Sequence, residues 1–274
     1  MKKILNVFIL SFILILSNIG YCFASDETTV ILNKSEYDIL MDLNQLSNEE
    51  LYDLGYLESD IIKIRDSIDI QKENVYNLKK LNESMLLEMG YNEEQVKIIK
   101  NFDGDTNDLM RVSATLSLDF TGKLTKGSNS SAYINVTFNW NGKPAISTYN
   151  ALAVVNGEGM YYTIEKSSLK AENFDTASGK TTTYNIKPTM HGANNVGLSF
   201  KFKSNIPYSK TCYTKGGSAH IEMTKAKNLN EVGIRVAYAV SGSNINPSVS
   251  FPTSASISFS GGLKEVKSVF KILS

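Results

Sequence analysis

The sequence has few of the residues that build metal centres or disulfide frameworks. Its 274 residues include two cysteines and two histidines, which leaves zinc unsupported because structural zinc sites use closely spaced sets of these residues. Eighteen glycines, five prolines and 42% apolar residues exclude a collagen-like or wholly disordered chain. The sequence also lacks a Gly-x-Ser-x-Gly elbow, a Walker loop and a dinucleotide-binding fingerprint.

Long apolar runs are restricted to the N-terminus. Lys2 and Lys3 precede an apolar run over residues 4–16, and Ala24 follows as a small residue before Ser25. This pattern is typical of a secretory signal peptide over residues 1–24, and the run is shorter than the about 20 residues of a membrane-spanning helix. We therefore expect a secreted protein, extracellular or associated with a cell surface, with no transmembrane segment once the leader is cleaved.

Cleavage of this leader removes one of the two cysteines. Cys212 then has no partner for an intramolecular disulfide, so the fold must rely on its apolar core. A lipoprotein would instead carry its lipid on Cys22, but Tyr21 stands where a small residue is expected.

The remaining chain divides into an acidic and a basic segment. Residues 25–110 contain 20 Asp and Glu against 8 Lys and Arg, whereas residues 111–274 contain 8 against 18. The net charges are therefore −12 and +10, and a neutral average conceals them. We predict a helical domain over 25–105, a linker over 106–110 and a β domain over 111–274.

The acidic segment contains an internal repeat. Residues 46–56 recur as residues 81–91, and each copy ends in a Gly-Tyr pair, at Gly55 and at Gly90. A period of this length predicts a helix–turn–helix unit that is used twice, with each glycine in the left-handed position after a helix. Met89-Gly90-Tyr91 resembles the loop of ubiquitin-associated domains, and this resemblance implies a small helical binding unit.

The basic segment alternates apolar and polar residues with a period of two. The pattern is strong over residues 112–120 and 132–140, and several later runs predict eight or nine short strands. Asn141-Gly142 and Asn156-Gly157 are expected to close hairpins, and residues 263–273 fit either a strand or a short helix. The predicted fold class is α+β multidomain: an N-terminal small helical repeat followed by a C-terminal antiparallel β-sandwich.

Candidate catalytic groups are few. A thiol enzyme would need Cys212 with His191 or His220. Lys210-Thr211-Cys212 resembles the threonine-cysteine of sortases, which implies an upstream His and a downstream Arg; His191 and Arg235 match that spacing poorly. We predict a non-enzymatic protein, with a cell-wall-acting hydrolase or thiol enzyme as the second alternative.

One polar segment has ligands in the order of a calcium loop. Asp103, Asp105 and Asn107 occupy positions one, three and five, but Asp108 replaces the glycine at position six and Ala114 replaces the glutamate at position twelve. Partial calcium ligation by the first three is one hypothesis, and a polar linker is the other. No other cofactor is expected.

The charge of the basic segment favours binding to a polyanion such as a wall polymer or anionic headgroups. Aromatic rings between lysines could stack on sugars while the ammonium groups meet phosphate or carboxylate. Two tyrosines are placed on wet strand faces, and the other four residues lie near an expected turn at Gly216-Gly217. The candidate binding residues are Tyr133, Tyr161, Tyr208, Lys210, Tyr213 and Lys215.

The predicted function is therefore recognition of polyanionic glycans or of a protein partner at a cell surface, with no nucleic acid as ligand. The alternative is a secreted pore-forming or toxin-like protein, because serine alternates with apolar residues over 248–251 and 254–260. Pro252 interrupts that ladder. The oligomeric state, and whether the acidic segment masks the basic one, are open at this point.

Overall fold

The computed structural model describes residues 29–33, 35–145, 149–191, 197–204, 211–241, 248–251, 256–260 and 263–274, so the leader lies outside the described residues. The helices are α1 (Glu36–Asn44), α2 (Asn48–Asp53), α3 (Glu58–Arg65), α4 (Ser67–Lys79), α5 (Glu83–Glu88), α6 (Glu93–Asn101) and α7 (Thr106–Val112). The strands are β1 (Thr29–Asn33), β2 (Thr115–Thr125), β3 (Ser130–Asn141), β4 (Tyr149–Asn156), β5 (Tyr161–Asp175), β6 (Lys180–Ile186), β7 (Thr189–His191), β8 (Gly197–Lys203), β9 (Cys212–Lys225), β10 (Val232–Ser241), β11 (Ser248–Ser250), β12 (Ser258–Ser260) and β13 (Lys264–Leu273).

The strands form two antiparallel sheets and a short separate pair. One sheet has six strands in the order β1-β13-β10-β4-β8-β7, and the other has five in the order β2-β3-β9-β5-β6. Their inner faces share one core, in which the rings of Phe138 and Tyr238 lie 4.8 Å apart across the two sheets. The predicted antiparallel β architecture is confirmed, and the C-terminal residues that fitted either a strand or a helix form β13.

The two Gly-Tyr turns of the acidic segment have the expected local geometry. Gly55 and Gly90 have φ angles of 85° and 96°, and Tyr56 and Tyr91 each donate a backbone hydrogen bond to the residue five positions earlier. These bonds satisfy carbonyls that the helix end leaves unpaired. The turns recur, but a separate helical repeat domain stays a prediction, because Leu51 belongs to the same apolar cluster as the sheets.

The residues predicted as a linker lie in α7, and Asp105 caps the start of this helix by accepting a bond from the Asn107 amide at 2.9 Å. The division into domains stays a prediction, but two local expectations are wrong. The Asn-Gly pairs close no hairpins, since β3 and β4, and likewise β4 and β5, lie in different sheets. The glycines expected to form a turn, Gly216 and Gly217, lie within β9, where a Cβ on either would come within 3 Å of a neighbouring strand's carbonyl oxygen.

The outer face of the six-stranded sheet is covered. Its small side chains are buried beneath apolar residues of the segment that holds β11 and β12. The cluster contains Ala151, Ala153, Val155, Ala237, Ala239, Val249, Ile257 and Leu263. The serine-alternating segment behind the pore-former hypothesis therefore packs its described apolar side chains on the chain's own sheet. Among the described helices, none combines the length and the apolar character that a membrane crossing requires.

Candidate functional site

The outer face of the five-stranded sheet carries two exposed aromatic rings. Tyr133 on β3 is 40% exposed and Tyr161 on β5 is 52% exposed, while the residues beside them in sequence point into the core. Tyr133 pairs with Glu222 of β9 and Tyr161 with Thr224, so all four side chains share one face. Because only β9 separates β3 from β5, the two tyrosine strands lie about 10 Å apart.

A polar row lies beside these rings: Glu222 is opposite Tyr133, and Asn135 and His220 lie two residues further from Tyr161. The Nδ1 atom of His220 lies 2.8 Å from Oδ1 of Asn135, and its Nε2 atom lies 3.4 Å from Oε1 of Glu222. The His220 ring also lies 5.9 Å from the ring of Tyr133, at an angle of 31°. We call Tyr133, Asn135, Tyr161, His220 and Glu222 the tyrosine face. It offers flat apolar rings beside groups that can exchange hydrogen bonds with hydroxyls.

An ion pair with a lysine keeps the carboxyl group of Glu222 on the tyrosine face ionised. Lys166 Nζ lies 3.3 Å from Oε2 of Glu222. This hydrogen bond is the largest cause that holds the pKa of the Glu222 carboxyl below its ordinary value, and His220 adds to it. Glu222 is therefore an ionised acceptor at neutral pH.

An irregularity in β5 forms one border of the face. Thr163 pairs with Glu222 and Ser168 pairs with His220, so five positions along β5 face two along β9. Ser167 is buried in this bulge, where its hydroxyl donates to the Thr163 carbonyl at 2.8 Å and accepts from the Glu222 amide at 3.3 Å. Ile164 is 38% exposed beside it. Bulges of this kind are common next to binding sites, where they re-aim side chains.

Several lysines border the same end of the sheet. Lys123 on β2 pairs directly with Tyr133. The turn after β2 is tied to the loop after β9, because the Gly127 amide donates to Asn228 Oδ1 at 3.1 Å. The lysines beside the tyrosine face at this end are Lys123, Lys126, Lys166 and Lys227, and all are exposed. Lys225 alternates to the opposite face of β9, where its Nζ donates to the Glu158 carbonyl. A positive border beside aromatic rings is suited to an anionic ligand.

The six binding residues predicted from the sequence do not form one site. Tyr133 and Tyr161 lie on the tyrosine face, as expected, whereas Tyr208 and Lys210 lie outside the described residues. The expected exposure of Tyr213 is wrong: it is 4% exposed, packs with helix residues, and burial raises the pKa of its phenol. Lys215 donates to the backbone carbonyl of Glu88 and lies 5.3 Å over the ring of Phe174, so it also faces the helices.

Three members of the tyrosine face were not selected from the sequence. Asn135, His220 and Glu222 alternate with apolar residues on β3 and β9, so the sequence could predict that they point outward. It could not predict that they lie close together, because that depends on β9 lying between β3 and β5 in the sheet order.

The candidate calcium ligands have local roles. Asp103 Oδ1 accepts from the Asp105 amide at 3.2 Å, and Asp105 Oδ1 accepts from both the backbone and the side chain of Asn107. Within the described ranges, no three side chains of His, Cys, Asp or Glu converge as metal ligands. Calcium binding by Asp103, Asp105 and Asn107 stays a prediction.

The geometry also bears on the thiol-enzyme alternative. Cys212 and His220 lie on the same strand, eight residues and roughly 26 Å apart, so they form no dyad. Arg235 pairs with Glu265 at 3.1 Å. The side chain of His191 lies outside the described part of the chain.

No protein-family model matches the chain, and no curated protein is similar to it. Among solved structures, the collagen-binding domain from a Staphylococcus aureus adhesin is 10% identical, with 57% of this chain and 95% of that chain covered and a TM-score of 0.30. The T6 backbone pilin of Streptococcus pyogenes is 11% identical, with 58% and 36% covered and a TM-score of 0.33. A chain described as a pore-forming protein is 9% identical, with 58% and 90% covered and a TM-score of 0.24. These similarities are too low to carry an argument about function.

Proposed function

We propose that this chain is an exported, non-enzymatic binding protein whose tyrosine face recognises an acidic glycan at a cell surface. The observation that carries the proposal is the pair of half-exposed tyrosines on one sheet face beside the hydrogen-bonded row of Asn135, His220 and Glu222. An exposed tyrosine alone is ordinary, but two on one sheet face beside a bulge and a lysine border form a surface with directional chemistry.

The rings supply the apolar part of recognition. Tyr133 and Tyr161 present flat surfaces against which the carbon-bound hydrogens of a sugar ring can pack. Asn135, His220 and Glu222 lie beside them on the same face and can bond to hydroxyls, since hydroxyls both donate and accept. An extended oligosaccharide lying across β3, β9 and β5 would meet both kinds of contact.

The lysine border supplies selectivity for negative charge. Lys123 lies beside Tyr133, and Lys227 follows the end of β9 nearest Tyr161. Their exposed ammonium groups act through a screened field, so the proposed binding weakens as salt rises. A neutral glycan would gain only from the rings and the polar row.

The experiment measures retention of the purified protein on protein-free cell-wall polysaccharide at low and high salt. Tyr133→Ala and Tyr161→Ala are each expected to weaken retention about five- to tenfold through loss of a stacked ring. Tyr52→Ala is the matched control, because Tyr52 is 50% exposed but lies on α2. Lys123→Gln should reduce the salt dependence. Equal retention of all the tyrosine variants, or an equal loss with Tyr52→Ala, would contradict the proposal.

A further inference from the structure

Three of the four outer strands of the two sheets are protected against pairing with another chain. β7 has only three residues, and β1 has a register irregularity between Val30 and Leu32. On β2, Lys271 of β13 forms an ion pair with Asp119 at 2.6 Å and also donates to the backbone carbonyl of Phe120. Short strands, bulges and charges at an edge are the usual protections against association.

The fourth outer strand, β6, has none of these protections beyond Lys180 at its start. It has seven residues in continuous register with β5, and no second partner strand pairs with it in the described part of the chain. Lys180 through Thr183 are all exposed. Residues 181–186 contain no charge and no proline, and three consecutive threonines favour extended pairing.

We propose that β6 is the pairing edge for a second copy of this chain. Two copies would join antiparallel about a two-fold axis near Thr182, which extends the five-stranded sheet to ten strands. The edge is complementary to itself in this arrangement. Threonines of one copy face threonines of the other, and Lys180 faces the Tyr184 end of the second strand, so no like charges are opposed.

This pairing has a consequence for the tyrosine face, and that part rests on the proposed function. The two-fold axis of an antiparallel pair stands perpendicular to the sheet, so both tyrosine faces lie on the same side of the joined sheet. β3 is three strands from β6, and Tyr133 lies at the level of Glu222, eight residues along β9 from Thr214, which is at the level of Thr182. The two-fold axis doubles both offsets, so the two Tyr133 rings lie roughly 60 Å apart. Two sites on one side of a dimer bind a repeating polymer with greater avidity than either site alone.

The test measures the mass of the purified protein by sedimentation velocity over a range of concentrations, without any glycan. The wild-type chain is expected to reach the mass of two copies. Thr182→Lys places two ammonium groups close to the two-fold axis and should weaken association at least about tenfold. Thr137→Lys makes the same charge change on β3, away from the edge, and should leave the association unchanged. A matching denaturation midpoint for the two variants verifies that both fold.

Hydrogen exchange gives a second readout that needs no variant. Amides of residues 181–185 that face outward should exchange more slowly as the wild-type concentration rises. A single-chain mass at every concentration, or an association that Thr182→Lys leaves intact, would overturn the proposal. The two proposals fail separately: Tyr161→Ala should keep the dimer and weaken glycan retention, whereas Thr182→Lys should weaken the dimer and keep single-site binding.

Discussion

The two sheets of this protein treat their outer faces in opposite ways. On the six-stranded sheet, Ala151, Ala153 and Ala237 are fully buried beneath the segment that holds β11 and β12. On the five-stranded sheet, the corresponding face carries threonine, asparagine and serine together with the exposed rings of Tyr133 and Tyr161.

The difference separates a structural face from the face that we propose for binding. Small apolar side chains on an outer face allow a covering segment to approach closely, and their burial stabilises the fold. The two tyrosine rings on the five-stranded sheet stay 40% and 52% exposed, so they bury less of their surface than core side chains do. The two rings have no cover among the described residues, and our proposed ligand would bury them.

The largest expected effect comes from placing a charge on the covered face. Ala153→Asp buries a carboxylate among apolar side chains and should lower the free energy of unfolding by about 3–5 kcal/mol. The matched change Thr137→Asp, on the outer face of the five-stranded sheet, should alter the free energy of unfolding by less than about 0.5 kcal/mol. Chemical denaturation of both variants checks the pair. Similar losses would mean that the open face is also covered.

A smaller effect is expected where the segment that holds β11 and β12 contacts the six-stranded sheet. A Cβ atom on Gly197 of β8 would lie 2.2 Å from the ring of Phe251, so Gly197→Ala should displace that ring and cost about 1–3 kcal/mol. Gly157→Ala is the control, because its nearest atom would be 3.7 Å away. Limited proteolysis between residues 248 and 263 should accelerate only in Gly197→Ala; unchanged cleavage there would contradict the assigned contact.

The smallest effect concerns the β5–β6 hairpin at the edge of the five-stranded sheet. Hydrogen bonds from Thr211 and Ser178 lower the pKa of Asp175 to about 2, from 3.8. Because the folded-state pKa lies below the unfolded one, Asp175 contributes stability above about pH 4, and this contribution is lost as the pH falls towards 2. Asp175→Asn should therefore make the free energy of unfolding depend less on pH between about pH 4 and pH 2. The effect is small because the carboxylate is exposed and screened by solvent. An unchanged acid profile would show that the β5–β6 turn does not depend on the carboxylate.

The sequence predicts what depends on local periodicity. Alternation along β3 and β5 placed Tyr133 and Tyr161 outward, and it placed His220 on the wet side of β9, because a strand turns successive side chains to opposite faces. The same local reasoning located the Gly-Tyr turns, since glycine adopts the left-handed conformation at a helix end without the steric penalty of a Cβ atom.

Long-range packing accounts for what the sequence did not predict. Tyr213 belongs to β9 but is buried because helices pack over that part of the sheet, and no local pattern records this. The bulge at residues 164–167 interrupts the β5 register at a point where the alternation looks unremarkable. The burial of Ala153 and Ala237 on the outer face of their sheet was not predicted, because it depends on the segment around β11 and β12 packing over them.

Hydroxyl-radical footprinting of the protein with and without cell-wall polysaccharide tests the tyrosine face most directly. Four tyrosines report at once, because Tyr133 and Tyr161 on the open sheet and Tyr52 and Tyr76 on the helices are all at least 40% exposed. We expect the polysaccharide to protect Tyr133 and Tyr161 from oxidation and to leave Tyr52 and Tyr76 as reactive as in the free protein. Protection of the helix tyrosines alone, or of none of the four while the polysaccharide is bound, would contradict the assignment of the open sheet as the binding surface.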